Sequence, residues 1–296
     1  MLHCEPGHQV VRAYVTTPDR AGYKAEIVNL LKSKDQWFRP SDVCIAPDGS
    51  VFVADWYDPG VGGHKMGDVQ RGRIYRIAPK KGNYTLPAFH LSTPESAVQA
   101  LQNPNQARRY LAWTALNNMG ASAENALLAL YENGEPHLRA RAFWLLANIN
   151  KKYIQKALQD NELNIQLAAI RAAQYLDEPN LLAYLQPMAT HEHPHIRREI
   201  ALALRYQTSD EAAALWTTLA NQYDGQDRWY LEALGIGADL NATKCFNAWK
   251  TKVGDQWNTP ANREIVWRMR TPATLPMIAE ILKDEQLNEK QIAHFF

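Results

Sequence analysis

Residues 55–76, DWYDPGVGGHKMGDVQRGRIYR, gather three acids, one histidine, five glycines and three arginines within 22 residues. Asp55 and Asp58 stand three apart around Trp56 and Tyr57. Their carboxylates suit a hard cation such as Ca²⁺, and the glycines at 60, 62, 63 and 67 allow backbone carbonyls to turn toward it. His64 is a candidate base on a hydroxyl, with Asp58 or Asp68 orienting its ring. Arg71 and Arg73, with the upstream Arg39, are candidates to hold ligand carboxylates through bidentate pairs. An architectural alternative stands beside each role. Aspartates cap turns, glycines supply positive φ, and an Asp–Arg pair can knit a loop to its sheet. The density of chemistry-bearing residues in one long connection favours a ligand role. The upstream RPSD places Arg39 and Asp42 at the same end of the structure.

The elements that must position these residues are strands. VVRAYVTT and YKAEIVNLL read as strands separated by PDRAG, and SDVCIAPDGSVFVADWYD reads as two more joined at Pro47-Asp48-Gly49. GRIYRIAP supplies a fifth, and no helix is expected before residue 90. From STPESAVQAL at residue 92 the apolar period becomes helical. Ser92 or Thr93 acts as a cap, Pro94 occupies the first turn, and Glu95 lies near the positive end of the helix dipole.

Beyond that point the chain repeats itself. Arg108, Arg139, Gln166, Arg197, Arg228 and Arg263 each open an amphipathic helix, about 30 residues apart, each preceded by a short turn and another apolar helix. Six complete helix pairs and the start of a seventh are expected, in a right-handed α-solenoid of HEAT-like repeats. The recurrent arginines are expected to stitch neighbouring repeats, with Glu199, Glu232 and Glu264 within reach. Trp113, Trp144, Trp229 and Trp267 are expected in the core between repeats. The domains are then 1–85, β, and 86–296, helical. The fold class is α+β and multidomain.

The β region has the order of propeller strands: strand, Asp-Gly turn, strand ending in an acid, long loop, strand. It holds sequence for one to two blades, and a propeller needs about four or more. The run WFRPSDVCIAPDGSVFVADWYDPGVGGHKMGDVQRGRIYRIAPK, followed by LSTPESAVQALQNPNQARRYLAW, resembles the propeller–solenoid junction of the large bacterial proteins described as membrane-bound dehydrogenases. That family, of planctomycetes, verrucomicrobia and Bacteroidetes, joins a glucose/sorbosone-dehydrogenase-like propeller to HEAT repeats. Many of its members continue into a c-type cytochrome. The resemblance implies the last blades of a partial propeller and a periplasmic or cell-envelope location. It also implies sugar oxidation with electrons passed to a cytochrome. His64, Asp58 and Asp68 are then the catalytic candidates. Arg71, Arg73 and Arg39 would hold a quinone of the pyrroloquinoline type, and Asp55 and Asp58 would hold Ca²⁺. The alternative is a non-catalytic scaffold that binds carbohydrate or protein, the latter on the HEAT surface.

Composition narrows the remaining classes. A formal net charge of +1 gives no basic footprint for nucleic acid. Cys4, Cys44 and Cys245 lie far apart without CxxC, zinc spacing or a CxxCH haem motif, and each is expected as a buried thiol. No apolar run reaches the ~20 residues of a membrane span. The first residues do not read as a signal peptide. The chain opens near a strand and stops on AHFF, so a longer parent protein is expected. HEHPH, with His191, His193 and His195, falls in an inter-repeat turn and is expected to be exposed polar filler rather than a metal site.

Overall fold

The computed structural model describes residues 1–59, 70–82, 84, 85 and 88–296. Among the described residues six strands form two three-stranded sheets. In the first, β1 (Leu2–Glu5), β2 (Val10–Asp19) and β3 (Gly22–Lys32) lie in the order β1-β2-β3. In the second, β4 (Pro40–Ile45), β5 (Val51–Asp55) and β6 (Arg73–Ile77) form an antiparallel meander. Neither closes into a barrel or a propeller among the described residues.

The β4–β5 turn forms where Pro47-Asp48-Gly49 requires it. Gly49 sits at φ 87° and donates to the Ala46 carbonyl at 2.8 Å. Asp48 Oδ1 accepts from the Ser50 amide at 2.9 Å and from its hydroxyl at 2.6 Å. Those bonds set the register Ile45↔Val51, which points Val53 inward with no exposure. The strand β1 was not expected. LHCE is too short and mixed to announce itself, and it becomes a strand only by pairing with β2, Leu2 opposite Ala13.

Fourteen α-helices follow among the described residues, in seven consecutive pairs. These are α1 (Pro94–Leu101) with α2 (Gln106–Met119), α3 (Glu124–Asn133) with α4 (Pro136–Ile149), and α5 (Lys152–Leu158) with α6 (Leu163–Tyr175). Next come α7 (Leu181–Leu185) with α8 (Pro194–Ala203), and α9 (Asp210–Ala220) with α10 (Arg228–Gly237). Last are α11 (Ala242–Val253) with α12 (Pro260–Arg268), and α13 (Leu275–Ile281) with α14 (Glu289–Phe295). Thr93 is the cap of α1, closing a reciprocal box with Ser96 ahead of Pro94.

Two compact units result. The first holds 1–18 and 23–149, the second 19–22 and 150–296. Strands end at Ile77 and helices begin at Pro94, and α1–α4 group with the strands. Asn105 Nδ2 donates to the Ala46 carbonyl at 2.7 Å in that unit, tying the α2 cap to the β4–β5 turn. The core of the first unit includes Leu116, Leu127, Phe143 and Leu146; that of the second includes Ile154, Ile170, Trp216 and Trp249. The expected core tryptophans differ from the observed ones. Trp216 and Trp249 are fully buried, whereas Trp229 is 52% exposed and Trp113, Trp144 and Trp267 are intermediate.

The recurrent arginines are structural: most bond turn carbonyls of their own repeat, and Arg197, Arg228 and Arg263 also reach the next one, Arg263 Nη2 meeting Asp284 at 2.7 Å. Arg139 Nε donates to the Tyr131 carbonyl at 2.9 Å, and Arg197 Nη1 to the His191 and Glu192 carbonyls at 2.6 and 2.8 Å. Gln166 reaches the Asp160 carbonyl at 2.7 Å, and Arg263 Nε the Asn258 carbonyl at 3.2 Å. Helical side chains lean toward the N-terminus, so a long donor in the first turn falls over the turn it has just left. Arg108 lies 5.1 Å from the Phe89 ring, and Arg228 5.0 Å from the Trp267 ring in the next repeat. A second set shares the stitching between repeats. Arg171 grips Glu199 through Nε and Nη2, both at 2.8 Å, Arg268 Nε meets Glu232 at 2.7 Å, and His294 meets Glu264 at 2.9 Å.

Candidate functional site

The segment entering β4 runs beside the segment leaving β5. Trp56 N donates to the Arg39 carbonyl at 2.9 Å and Asp58 N to the Trp37 carbonyl at 3.0 Å. Asp55 locks this corner. Its Oδ1 accepts from the Arg39 amide at 2.8 Å and from the Tyr57 amide at 2.9 Å, while Oδ2 is buried without a hydrogen-bond partner among the described residues. Tyr57 is held at φ 54°, a left-handed conformation costly for a bulky residue, so the surrounding bonds over-determine it. Arg39 is 9% exposed and spends its guanidinium on carbonyls: Phe38 at 3.0 Å and Pro59 at 3.4 Å.

That backbone arrangement sets two rings together. The Trp37 and Tyr57 centroids are 5.6 Å apart, their planes inclined at 45°. The Arg71 guanidinium lies 5.5 Å from the Trp37 ring centre and that of Arg73 3.9 Å from Tyr57. Arg73 Nη1 also donates to the Tyr75 hydroxyl at 3.0 Å and stands 3.5 Å from Asp35 Oδ2. The Tyr75 hydroxyl, more than any other neighbour, pushes the Arg73 pKa up. Both arginines are exposed. An exposed guanidinium stacked on a ring is oriented by it. The corner is therefore an aromatic platform with two aligned cations, suited to a ring that bears a carboxylate.

Of the residues expected to do chemistry, Asp55, Asp58, Arg39, Arg71 and Arg73 come to this corner; Asp55 and Asp58 are 3% and 5% exposed. His64 and Asp68 lie outside the described residues. Among the described residues no group of three His, Cys, Asp or Glu side chains is placed to hold a metal. Asp55 and Asp58 give the corner two carboxylates, with Asp35 beside them against Arg73, where Ca²⁺ takes about six to eight oxygens. Trp56 is half exposed, and Tyr57 packs against Trp37. Asp42 is exposed and stays out of the corner, its Oδ1 accepting from the Val43 amide. Trp37 and Asp35 were missed in the sequence. The DQWF preceding β4 was the available signal, since an aromatic pair beside a strand entry needs a surface to rest on.

Other candidates resolve into architecture. In the first unit a cleft of about 500 Å³ lies among Asp48, Asn103, Asn105 and Arg108. Its polar walls are largely spoken for: Asn105 caps α2 and bonds Ala46, and Asp48 pairs with Arg76 at 2.6 Å. HEHPH is not exposed filler. His193 caps α8, and His195 is 3% exposed with Nε2 3.0 Å from the Gly22 carbonyl. The cysteines also differ from expectation. Only Cys245 is buried, which pushes its pKa up to about 12, while Cys4 is intermediate and Cys44 exposed on β4. No described helix is long and apolar enough to cross a membrane.

Comparison with known families divides the chain. Residues 150–235, which form α5 to α10, match the HEAT repeats family. This region is a HEAT repeat array. Residues 1–81 match a domain of unknown function (DUF7133), which covers both sheets and the corner. No curated protein matches the chain.

Proposed function

We propose that this chain is a binding scaffold: the Trp37–Tyr57 platform takes a ring-bearing ligand with a carboxylate, and the HEAT repeats dock a protein. The stacking of two exposed arginines on one aromatic pair carries the first half. Sugar acids present both a ring face and a carboxylate, which such a platform engages together. HEAT repeats serve generally as protein-interaction scaffolds. In the second unit Tyr175, Tyr206, Trp229, Leu240 and Leu275 are each more than half exposed, in keeping with a protein partner.

The same two arginines favour a second reading, the oxidoreductase of the dehydrogenase resemblance. There the β4-β5-β6 meander is a blade of a propeller in an exported protein, and carbohydrate is oxidised with electrons leaving to a cytochrome. A planar quinone with several carboxylates would rest on Trp37 and Tyr57 with Arg71 and Arg73 on its acids. It would supply the two-electron acceptor, and Arg39, turned to carbonyls, would hold only the corner.

Calorimetric titration with trigalacturonate, cellotriose and pyrroloquinoline quinone separates these readings. The scaffold reading expects trigalacturonate to bind and cellotriose not, with Arg73→Ala or Tyr57→Ala weakening binding about tenfold, the loss of one charge-assisted or stacking contact. Quinone binding alone, lost in the same variants, would transfer the site to the oxidoreductase reading. Binding of none of the three, or binding indifferent to Arg73→Ala, would remove the platform as a ligand site.

A further inference from the structure

The strand β3 covers no core. It is 11 residues long and lies at the edge of its sheet, in the order β1-β2-β3. From Tyr23 to Leu30 every residue is exposed, so both faces of the strand meet solvent. Ile27 is 56% exposed, Val28 46% and Leu30 38%, with Val15 of β2 adding 53%. A long apolar strand with an open backbone edge is the arrangement folded proteins suppress, because it templates pairing with another chain. An exposed apolar stretch of this kind marks an interaction surface.

The order of residues on β3 says what covers it. We propose that β3 pairs antiparallel with β3 of a second copy of this chain, about a two-fold axis at Asn29. In that register Val28 of one copy faces Leu30 of the other, Ile27 faces Leu31, and Glu26 faces Lys32, each pair occurring twice. The apolar residues of the strand's second half meet apolar residues, and the strand's one acid meets a base at both ends. Neighbouring registers fail on the same criteria. Centring on Val28 opposes Lys24 to Lys32. Centring on Ile27 sets Glu26 against Val28 and Lys24 against Leu30. Centring on Ala25 pairs Lys24 with Glu26 but leaves Leu30 and Leu31 beyond the paired segment. A two-fold axis makes the contact isologous and closed, so it stops at a dimer. The paired segment is short, which places the dimer among weak, concentration-dependent associations. This inference is independent of the ligand platform.

Sedimentation velocity over a concentration series of the full chain tests it. Wild type is expected to show a reversible monomer–dimer equilibrium. Glu26→Lys turns both charge pairs repulsive and weakens the dimer about tenfold, and Glu26→Lys combined with Lys32→Glu restores it. Far-UV circular dichroism confirms that these exposed substitutions leave the fold intact. Oxidised Asn29→Cys should cross-link position 29 to position 29 by peptide mapping, a readout that does not depend on affinity. A monomer at all concentrations, a dimer indifferent to Glu26→Lys, or cross-links that exclude position 29 would each overturn the proposal. A monomer that takes up a synthetic strand peptide at β3 would also overturn it, and would make the occupant a foreign chain.

Discussion

At the scale of single residues, Asp55 shows how one carboxylate organises a corner. Its Oδ1 accepts two backbone amides that no strand ladder satisfies, and it fixes Tyr57 where Trp37 and Arg73 can meet it. Asp55→Ala leaves both buried donors unpaired and is expected to cost about 1–3 kcal/mol. Asp55→Asn keeps an acceptor in place and should cost less. Chemical denaturation of both variants checks this, and an Asp55→Ala protein as stable as wild type would show that the corner is held by its backbone bonds alone. Glu199 is the second instructive residue. Burial opposes its ionisation, but Arg171 and Arg198 outweigh burial and hold its carboxyl below the usual range. A carboxylate with a depressed folded pKa contributes its full stability above the ordinary glutamate value of 4.5. That contribution fades as pH falls through the lower folded value. Glu199→Gln should therefore lose about 1.5–3 kcal/mol at pH 7, and its stability curve should converge with wild type in acid. Curves that stay parallel down to pH 2 would show that the pair is not what the substitution disturbs.

At the scale of elements, helix packing decides where side chains are forbidden. Gly237 ends α10 against α8, and a Cβ there would run into the Ala201 carbonyl. Helix propensity alone favours Gly237→Ala by about 1 kcal/mol. Displacing the backbone of α8 is expected to reverse the sign, for a net loss of about 1–3 kcal/mol. Thermal unfolding gives the sign directly; a stabilised Gly237→Ala protein would mean the two helices separate freely at that point.

At the scale of the whole molecule, the two units carry different kinds of order. The first joins sheets to helices through contacts such as Asn105 to Ala46, and the second is held by helix stacking crossed by Arg171–Glu199, Arg268–Glu232 and His294–Glu264. Because Arg171 and Arg198 hold the Glu199 carboxyl below its usual range, acid should loosen the joint between α6 and α8 first. Hydrogen exchange at pH 3.5 and pH 7 is expected to show protection falling in α6 and α8 before the other helices of that unit. Protection falling evenly along the unit would show that this joint is not the acid-sensitive point.

Local chemistry by itself determined most of the elements. The capped start at Thr93, the 46–50 turn and the repeating helix pairs all follow from rules that act over a few residues: propensity, capping, turn geometry and apolar period. The sequence also contained the residues of the corner, since Asp55, Asp58, Arg71 and Arg73 could be singled out from composition and spacing. Tertiary structure decided the relations between elements. It made β1 a strand by supplying a partner, and buried Trp216 and Trp249 rather than Trp229. It turned His195 from a turn residue into a buried contact of Gly22, and divided the repeating arginines between their own turns and the next repeat. It also placed Trp37 beside Tyr57, so that two arginines rest on rings instead of reaching freely for a ligand. The reason is physical: a helical or strand period says which face of an element is apolar, but which side chain lies over which depends on how distant segments pack, and that is settled only when the chain has folded.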